Sequence, residues 1–218
     1  MVASFLTVRE DSPASAELLH PEPLPGGIQP EERVVLCGLG WDRHLALDTA
    51  LGDDRPGPRF YYLDGDLEIM TTSNEHERIK KWIADMMVFF FAEQDIEIVP
   101  RGQATMRDVL RKAGAEPDES WCLHEEKTYP DIVLEIALTS GGLNKLEIYR
   151  RFSVPEVWIW RRQRLEIHAL RADGSGYDLL TSSRQLPELP LELLVRCAAI
   201  PSWRDARLAF CEGIQKKG

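Results

Sequence analysis

The sequence contains no CxxC pair: its four cysteines, Cys37, Cys122, Cys197 and Cys211, stand far apart along 218 residues. That spacing argues against a zinc ribbon and against a disulfide scaffold, and leaves buried, reduced thiols as the plain reading. No GxSxG occurs, so the nucleophile elbow of a serine hydrolase is missing. The runs CGLG and SGG are too short for a phosphate-binding glycine loop and lack its strand-turn-helix spacing. The five histidines, His20, His44, His76, His124 and His168, show no metal-ligand spacing. No stretch of eighteen apolar residues is present, so no membrane-spanning helix and no membrane partner are expected. The opening MVASFLTVREDSPASAELLHPEPLPGG lacks the basic start and apolar run of a secretory leader, and a cytoplasmic protein is the expectation. Positive charge is scarce as well: the formal net charge is −10. Phosphate neutralisation supplies most of the affinity of a nucleic-acid binder, so the chain as a whole repels DNA. Only local clusters run the other way: HERIKK at 76–81, RDVLRK at 107–112 and YRR at 149–151.

What is present is an ordinary globular balance, 44% hydrophobic and 28% charged, on a chain long enough to bury a sizeable core. Residues 1–30, rich in Pro, Ser, Glu and Gly, read as a flexible N-terminal arm. Residues 31–200 read as one domain and 201–218 as a C-terminal helical tail. A short strand is expected at Val34–Cys37, and a helix in WDRHLALDTALG that stops at Gly52. RFYYLDGDLEIM carries an Asp64-Gly65 turn between two runs of strand formers, the signature of a hairpin. Ser73 or Asn74 then caps a helix whose apolar stripe is Ile79, Ile83, Met86, Met87 and Phe90. IEIVPRGQATMR reads as one strand bent at 100–102, and 111–116 as a polar loop. EPDESWCLH and TYPDIVLEIAL read as two further strands. SGGLNKLEIYRRF supplies a turn and a short helix. PEVWIWRR and RLEIHALR are strands joined by a tight turn at Arg162-Gln163, GYDLLTSS is another strand, and short helices are expected near 191–199 and 202–214. The order makes an α/β or α+β domain with strand-helix-strand at its centre.

Within PDIVLEIALTSGGLNKLEIYRR an apolar strand carries Asp131 and Glu135, and Lys145 follows on the helix. Alternation puts Asp131, Val133 and Glu135 on one face, and Asp118, Ser120 and Cys122 on one face of the preceding strand. If those strands are neighbours, Asp118 and Glu135 converge at one edge of the sheet, within reach of Lys145. Two carboxylates without sulfur or paired histidines suit a hard cation, Mg²⁺ or Mn²⁺. Such a cation with a lysine beside it suits phosphodiester hydrolysis. The same residues can equally be solvated strand ends and an ordinary helix lysine.

FYYLDGDLEIM, SNEHERI, AEPDESWCL, YPDIVLEIALTSGGLNKLEIYRRFSVPEVWIW and LEIHAL, in that order, resemble the Uma-two family of restriction-endonuclease-like proteins, within the PD-(D/E)XK nuclease superfamily. The resemblance runs from about residue 34 to 195. It implies a restriction-endonuclease-like core: a central mixed sheet flanked by helices, here with an N-terminal hairpin extension. By motif, the superfamily's first acid falls on Asp118 and its second on Glu135. Its lysine would stand two residues after that acid, where this chain has Ala137, and the resemblance moves it to Lys145. Glu77 matches an additional metal-binding acid of some relatives. His76 beside it and Asp131 are supporting candidates, each with an everyday alternative as a helix cap or a solvated strand start. The activity implied is a Mg²⁺- or Mn²⁺-dependent endonuclease acting on duplex or structured DNA, as a homodimer. A silent nuclease-fold binding or assembly protein and an RNA nuclease are the competing readings.

Overall fold

The computed structural model describes residues 31–52 and 58–215. The reading of 1–30 as an arm therefore lies outside the described residues. Eleven strands among the described residues form two sheets. The six-stranded sheet takes β4 (Ile98–Pro100), β7 (Glu119–Leu123), β8 (Ile132–Ile136), β9 (Glu156–Arg161), β10 (Arg164–Leu170) and β11 (Tyr177–Leu180), in the spatial order β11-β10-β9-β8-β7-β4. β8 and β9 run parallel, linked through α3 (Lys145–Arg151), and every other pair is antiparallel. The sheet is thus mixed, as expected, with the strand-helix-strand unit at its middle.

One face of this sheet packs on α2 (Asn74–Gln94). The Ser73 hydroxyl accepts the His76 N–H at 3.2 Å to start that helix, and Asp95, left-handed at φ 57°, ends it. Ile79, Ile83, Met86, Met87, Phe90 and Phe91 point at Trp121, Ile132, Leu134, Trp158 and Trp160. Each such buried side chain contributes about 1.5–3 kcal/mol. Helices α4 (Leu191–Ala198) and α5 (Trp203–Ile214) complete the layer through Leu194, Phe210 and Ile214.

The other face meets α3 and a second sheet of order β1-β3-β2-β6-β5, made of β1 (Arg33–Leu36), β2 (Arg59–Leu63), β3 (Asp66–Met70), β5 (Met106–Asp108) and β6 (Ala113–Ala115). Val133, Val157 and Ile159 there meet Tyr61, Met70, Met106, Ile148 and Tyr149. Helix α1 (Trp41–Leu51) covers the far side, its Trp41 edge-on to Tyr62 at 5.1 Å. The expected N-terminal hairpin is β2–β3, and it lies within this second sheet. Two other expectations change. IEIVPRGQATMR is not one bent strand: β4 and β5 belong to different sheets, and Gly102 at φ 55° makes the transfer. The supposed polar loop 111–116 contains β6, whose small Ala113, Gly114 and Ala115 are buried against β2.

Candidate active site

The site lies between the two sheets. Glu119 pairs with Leu134 across the antiparallel β7–β8 ladder, so Asp118, the residue before β7, lies at the Glu135 end of β8. Two hydrogen bonds hold Asp118 against β8: its N–H donates to Leu134 O at 3.1 Å, and the Ile136 N–H donates to its Oδ2 at 2.6 Å. The two carboxylates are close enough for the Asp118 charge to act on Glu135, and like charges brought together on a sheet destabilise it. Both carboxylates are nonetheless fully buried. Groups drawn from distant segments make this tolerable.

Around Glu135 the Tyr61 hydroxyl donates to Oε2 at 2.9 Å, the Tyr149 hydroxyl donates to Oε1, and Lys145 Nζ lies 2.7 Å from Oε2. The Lys145 ammonium also sits 3.8 Å from the centre of the Tyr61 ring. Lys145 is the first residue of α3, where the helix dipole disfavours a cation; the carboxylate and the ring hold it there. Around Asp118, His76 Nε2 lies 2.8 Å from Oδ1 and Arg59 Nε 3.0 Å from the same oxygen. His76 is wholly buried, and its other ring nitrogen, Nδ1, is 2.5 Å from Glu31. Arg59 extends the chain outward to Glu77 at 3.6 Å, and Glu77 also pairs with Lys80.

Titration follows from this setting. Burial pushes the Glu135 carboxyl above its ordinary value and the facing Asp118 adds to the rise, while Lys145 and the Tyr149 hydrogen bond oppose it. Burial would raise Asp118 too, but the His76 hydrogen bond and charge, with Arg59 and Lys145, pull it down to about 2. Burial alone would lower His76; the hydrogen bonds it donates to Asp118 and Glu31, with their charges, outweigh it and raise the imidazole to about 9. Burial, reinforced by the Glu135 charge, lifts Tyr61 and Tyr149 well above the usual phenol value, so both remain neutral donors. Two neighbouring carboxyls are thereby driven in opposite directions, a pattern characteristic of functional sites.

Asp118, Glu135 and Lys145 are therefore brought together. Glu77 lies at the rim, its side chain 39% exposed, and is linked to Asp118 through Arg59. Burial would raise its carboxyl, but the hydrogen bond and charge of Lys80 prevail and lower it. His76 is neither a surface group nor a mere cap, but the strut between Asp118 and Glu31. Asp131 is elsewhere: it accepts the Leu123 N–H at 2.7 Å and Lys127 Nζ at 2.8 Å, bracing β7 on β8 without touching the site. Arg59, Tyr61, Tyr149 and Glu31 were not legible as site residues. Tyr61 and Tyr149 had only their place in a strand and a helix stripe to mark them, and Arg59 and Glu31 carried no signal.

The oxygen donors suit a hard cation. Asp118 accepts from His76 and Ile136 and is ion-paired with Arg59, and Glu135 accepts from Tyr61, Tyr149 and Lys145. A carboxylate has about four acceptor positions, so each retains room for one more partner. A two-carboxylate Mg²⁺ or Mn²⁺ that keeps several waters fits that capacity. Among the described residues no three His, Cys, Asp or Glu side chains converge as a ready-made metal cage.

A cleft of about 800 Å³ opens beside Glu135 and Lys145; Asp118 does not line it. The SGG turn shapes the cleft wall. Gly142, at φ 88°, has no room for a side chain because a Cβ would collide with the Glu68 carboxylate. Glu68 in turn accepts the Leu143 N–H at 2.6 Å, which seats the loop that delivers Lys145.

Known proteins now place the chain. A profile of the family described as "Uma2: Putative restriction endonuclease" matches residues 41–201, well over half the sequence. Among curated proteins nothing matches significantly. Of solved structures, a "putative nuclease belonging to DUF820" from Anabaena variabilis is similar at 13% identity and a TM-score of 0.43, covering 69% of this chain and 90% of that one, too slight a likeness to build on. The profile spans both acids, the lysine and the strands that hold them, and the chain belongs to the Uma2 family.

Proposed function

We propose that this protein is a metal-dependent endonuclease that hydrolyses DNA phosphodiester bonds at the Asp118–Glu135–Lys145 site. The observation that carries the reading is the buried cross-strand pair of carboxylates with a lysine ammonium 2.7 Å from one of them at the wall of a cleft. Asp118 and Glu135, with Glu77 at the rim, would hold Mg²⁺ or Mn²⁺, which when bound supplies charge stabilisation at a phosphoryl oxygen and a water of lowered pKa. Lys145 orients the attacking water and offsets the charge that grows on the phosphate. Tyr61 and Tyr149, held neutral, fix the Glu135 carboxylate. His76, braced by Glu31, fixes Asp118, and Arg59 ties Asp118 to the rim. Water adds to phosphorus, one ester bond breaks, and a phosphate monoester and a hydroxyl remain. Two such sites in a homodimer would cut both strands.

A second reading has its own observations. Ala137 stands where the superfamily lysine would be, Asp118 does not line the cleft, and the net charge is −10. These favour a nuclease fold retained for binding alone. Calorimetric titration with Mn²⁺ tests the two: one chelatable site lost in Asp118→Ala supports the nuclease, and no heat from the parent supports the silent fold.

A further inference from the structure

Most arginines around the core are already engaged. Arg33 meets Glu31, Glu68 and Gly141; Arg59 meets Asp118 and Glu77; Arg150 and Arg151 meet Glu147. The β9–β10 hairpin is different. Arg161, Arg162 and Arg164 are all exposed and line the cleft, and none pairs with a carboxylate among the described residues.

Register fixes where they stand. Glu135 is beside Ile159 in the parallel β8–β9 ladder, so Arg161, two residues on, shares the Glu135 face about 7 Å farther along the strand. Arg164 is the direct cross-strand partner of Arg161 and shares that face. Two like charges are thus opposed in an antiparallel pair, a placement that destabilises the ladder unless an anion joins it. The turn between them adds strain. Arg162 at φ 49° and Gln163 at φ 58° hold a two-residue turn in left-handed conformations, where Gly or Asn is usual. The β2–β3 hairpin of the same chain uses Asp64-Gly65 for that geometry. A local rule is broken twice, at one tip, on the face that carries the candidate active site.

We propose that the β9–β10 hairpin is a phosphate-binding ribbon that grips the DNA backbone about one nucleotide step from Glu135. The proposal rests on the nuclease reading of the site, from which the substrate class comes. It also explains how an acidic protein approaches a polyanion: with Arg33 and Lys145 already paired, the three hairpin arginines face only Glu166 among the remaining charges of the cleft lining, a local reversal of the global charge.

The test is binding of a short labelled duplex by the full chain, with chelator present to prevent cleavage. It compares the parent, the triple variant Arg161→Gln/Arg162→Gln/Arg164→Gln, the corresponding triple Lys variant, and a control with the same charge loss elsewhere (Arg43→Gln/Arg196→Gln/Arg204→Gln). Between about 50 and about 200 mM salt, three lost phosphate contacts make the parent's affinity fall roughly 40-fold more than that of the Gln triple. The control should follow the parent and the Lys triple should retain most of the binding, with unchanged thermal melts showing that all variants fold. Competition by inorganic phosphate at matched phosphate concentration should be weak; full competition would mean a small-anion site and overturn the ribbon. If the Gln triple binds like the parent while the parent nicks plasmid, the hairpin inference falls and the nuclease stands. If the Gln triple loses binding while the parent nicks nothing in Mg²⁺ or Mn²⁺, the hairpin inference stands and the nuclease falls.

Discussion

Asp131 and Glu135 bracket one strand, on one face, four residues apart. Asp131 takes a backbone N–H and Lys127, whose side chain is 36% exposed. Glu135 takes two buried tyrosines and a lysine set at a helix start, with a second carboxylate opposite. The strand treats the two alike; their surroundings do not. The Asp131 end is a brace, with its charge offset at the surface, where an ion pair contributes at most about 1 kcal/mol. The Glu135 end concentrates desolvated charge, which is costly to fold and is retained where chemistry needs it. An acid in an apolar strand is therefore not in itself a functional signal. An acid whose neighbours also break local rules is one: an N-terminal helix lysine, a buried imidazole between two carboxylates.

The comparison can be broken in order of expected effect. Asp118→Ala should lower plasmid nicking in Mg²⁺ or Mn²⁺ by about a thousandfold or more, because both the cation and the facing charge balance are lost. Lys145→Ala should cost roughly 10²- to 10³-fold at unchanged metal affinity, as removal of one stabilising donor does. Nicking undiminished by that change would return Lys145 to a structural role. Stability should track the loaded end of the sheet. His76 is raised to about 9 in the fold against an ordinary 6.5, so its contribution is complete below about pH 6.5 and is lost as pH rises through 9. That loss is on the order of 3 kcal/mol and should appear as a falling melting temperature over this window, absent in His76→Gln. Asp131→Asn keeps an acceptor for the Leu123 N–H and loses only the charge paired with the half-exposed Lys127, so it should cost about 1 kcal/mol or less and leave nicking within about twofold.

The middle of the fold was legible because β8 and β9 are mainly apolar strands on either side of a short helix, and the alternation within them has one sensible reading. β6 was not, because Ala113, Gly114 and Ala115 have little strand propensity of their own. They are buried by the large side chains of β2, a tertiary effect with no local trace. The acids and the lysine could be found by spacing and by resemblance to a family. Their supports could not. Glu31 reaches His76 across 45 positions, and Tyr61 reaches Glu135 across 74. A histidine at a helix start reads as a cap until the acid on its far side is known. The hairpin turn at Arg162-Gln163 was visible, but its meaning depended on the ladder register that sets Arg161 opposite Arg164.

The most direct measurement is nicking of supercoiled plasmid by equal amounts of the parent, Glu135→Gln and Asp131→Asn, with Mg²⁺ or Mn²⁺ and with chelator, each protein first shown to be folded. The account predicts chelator-sensitive nicking by the parent and by Asp131→Asn, and none by Glu135→Gln. Activity that survives Glu135→Gln, or that fails equally in both variants, would contradict it, because the two ends of β8 would then not differ in the way their surroundings require.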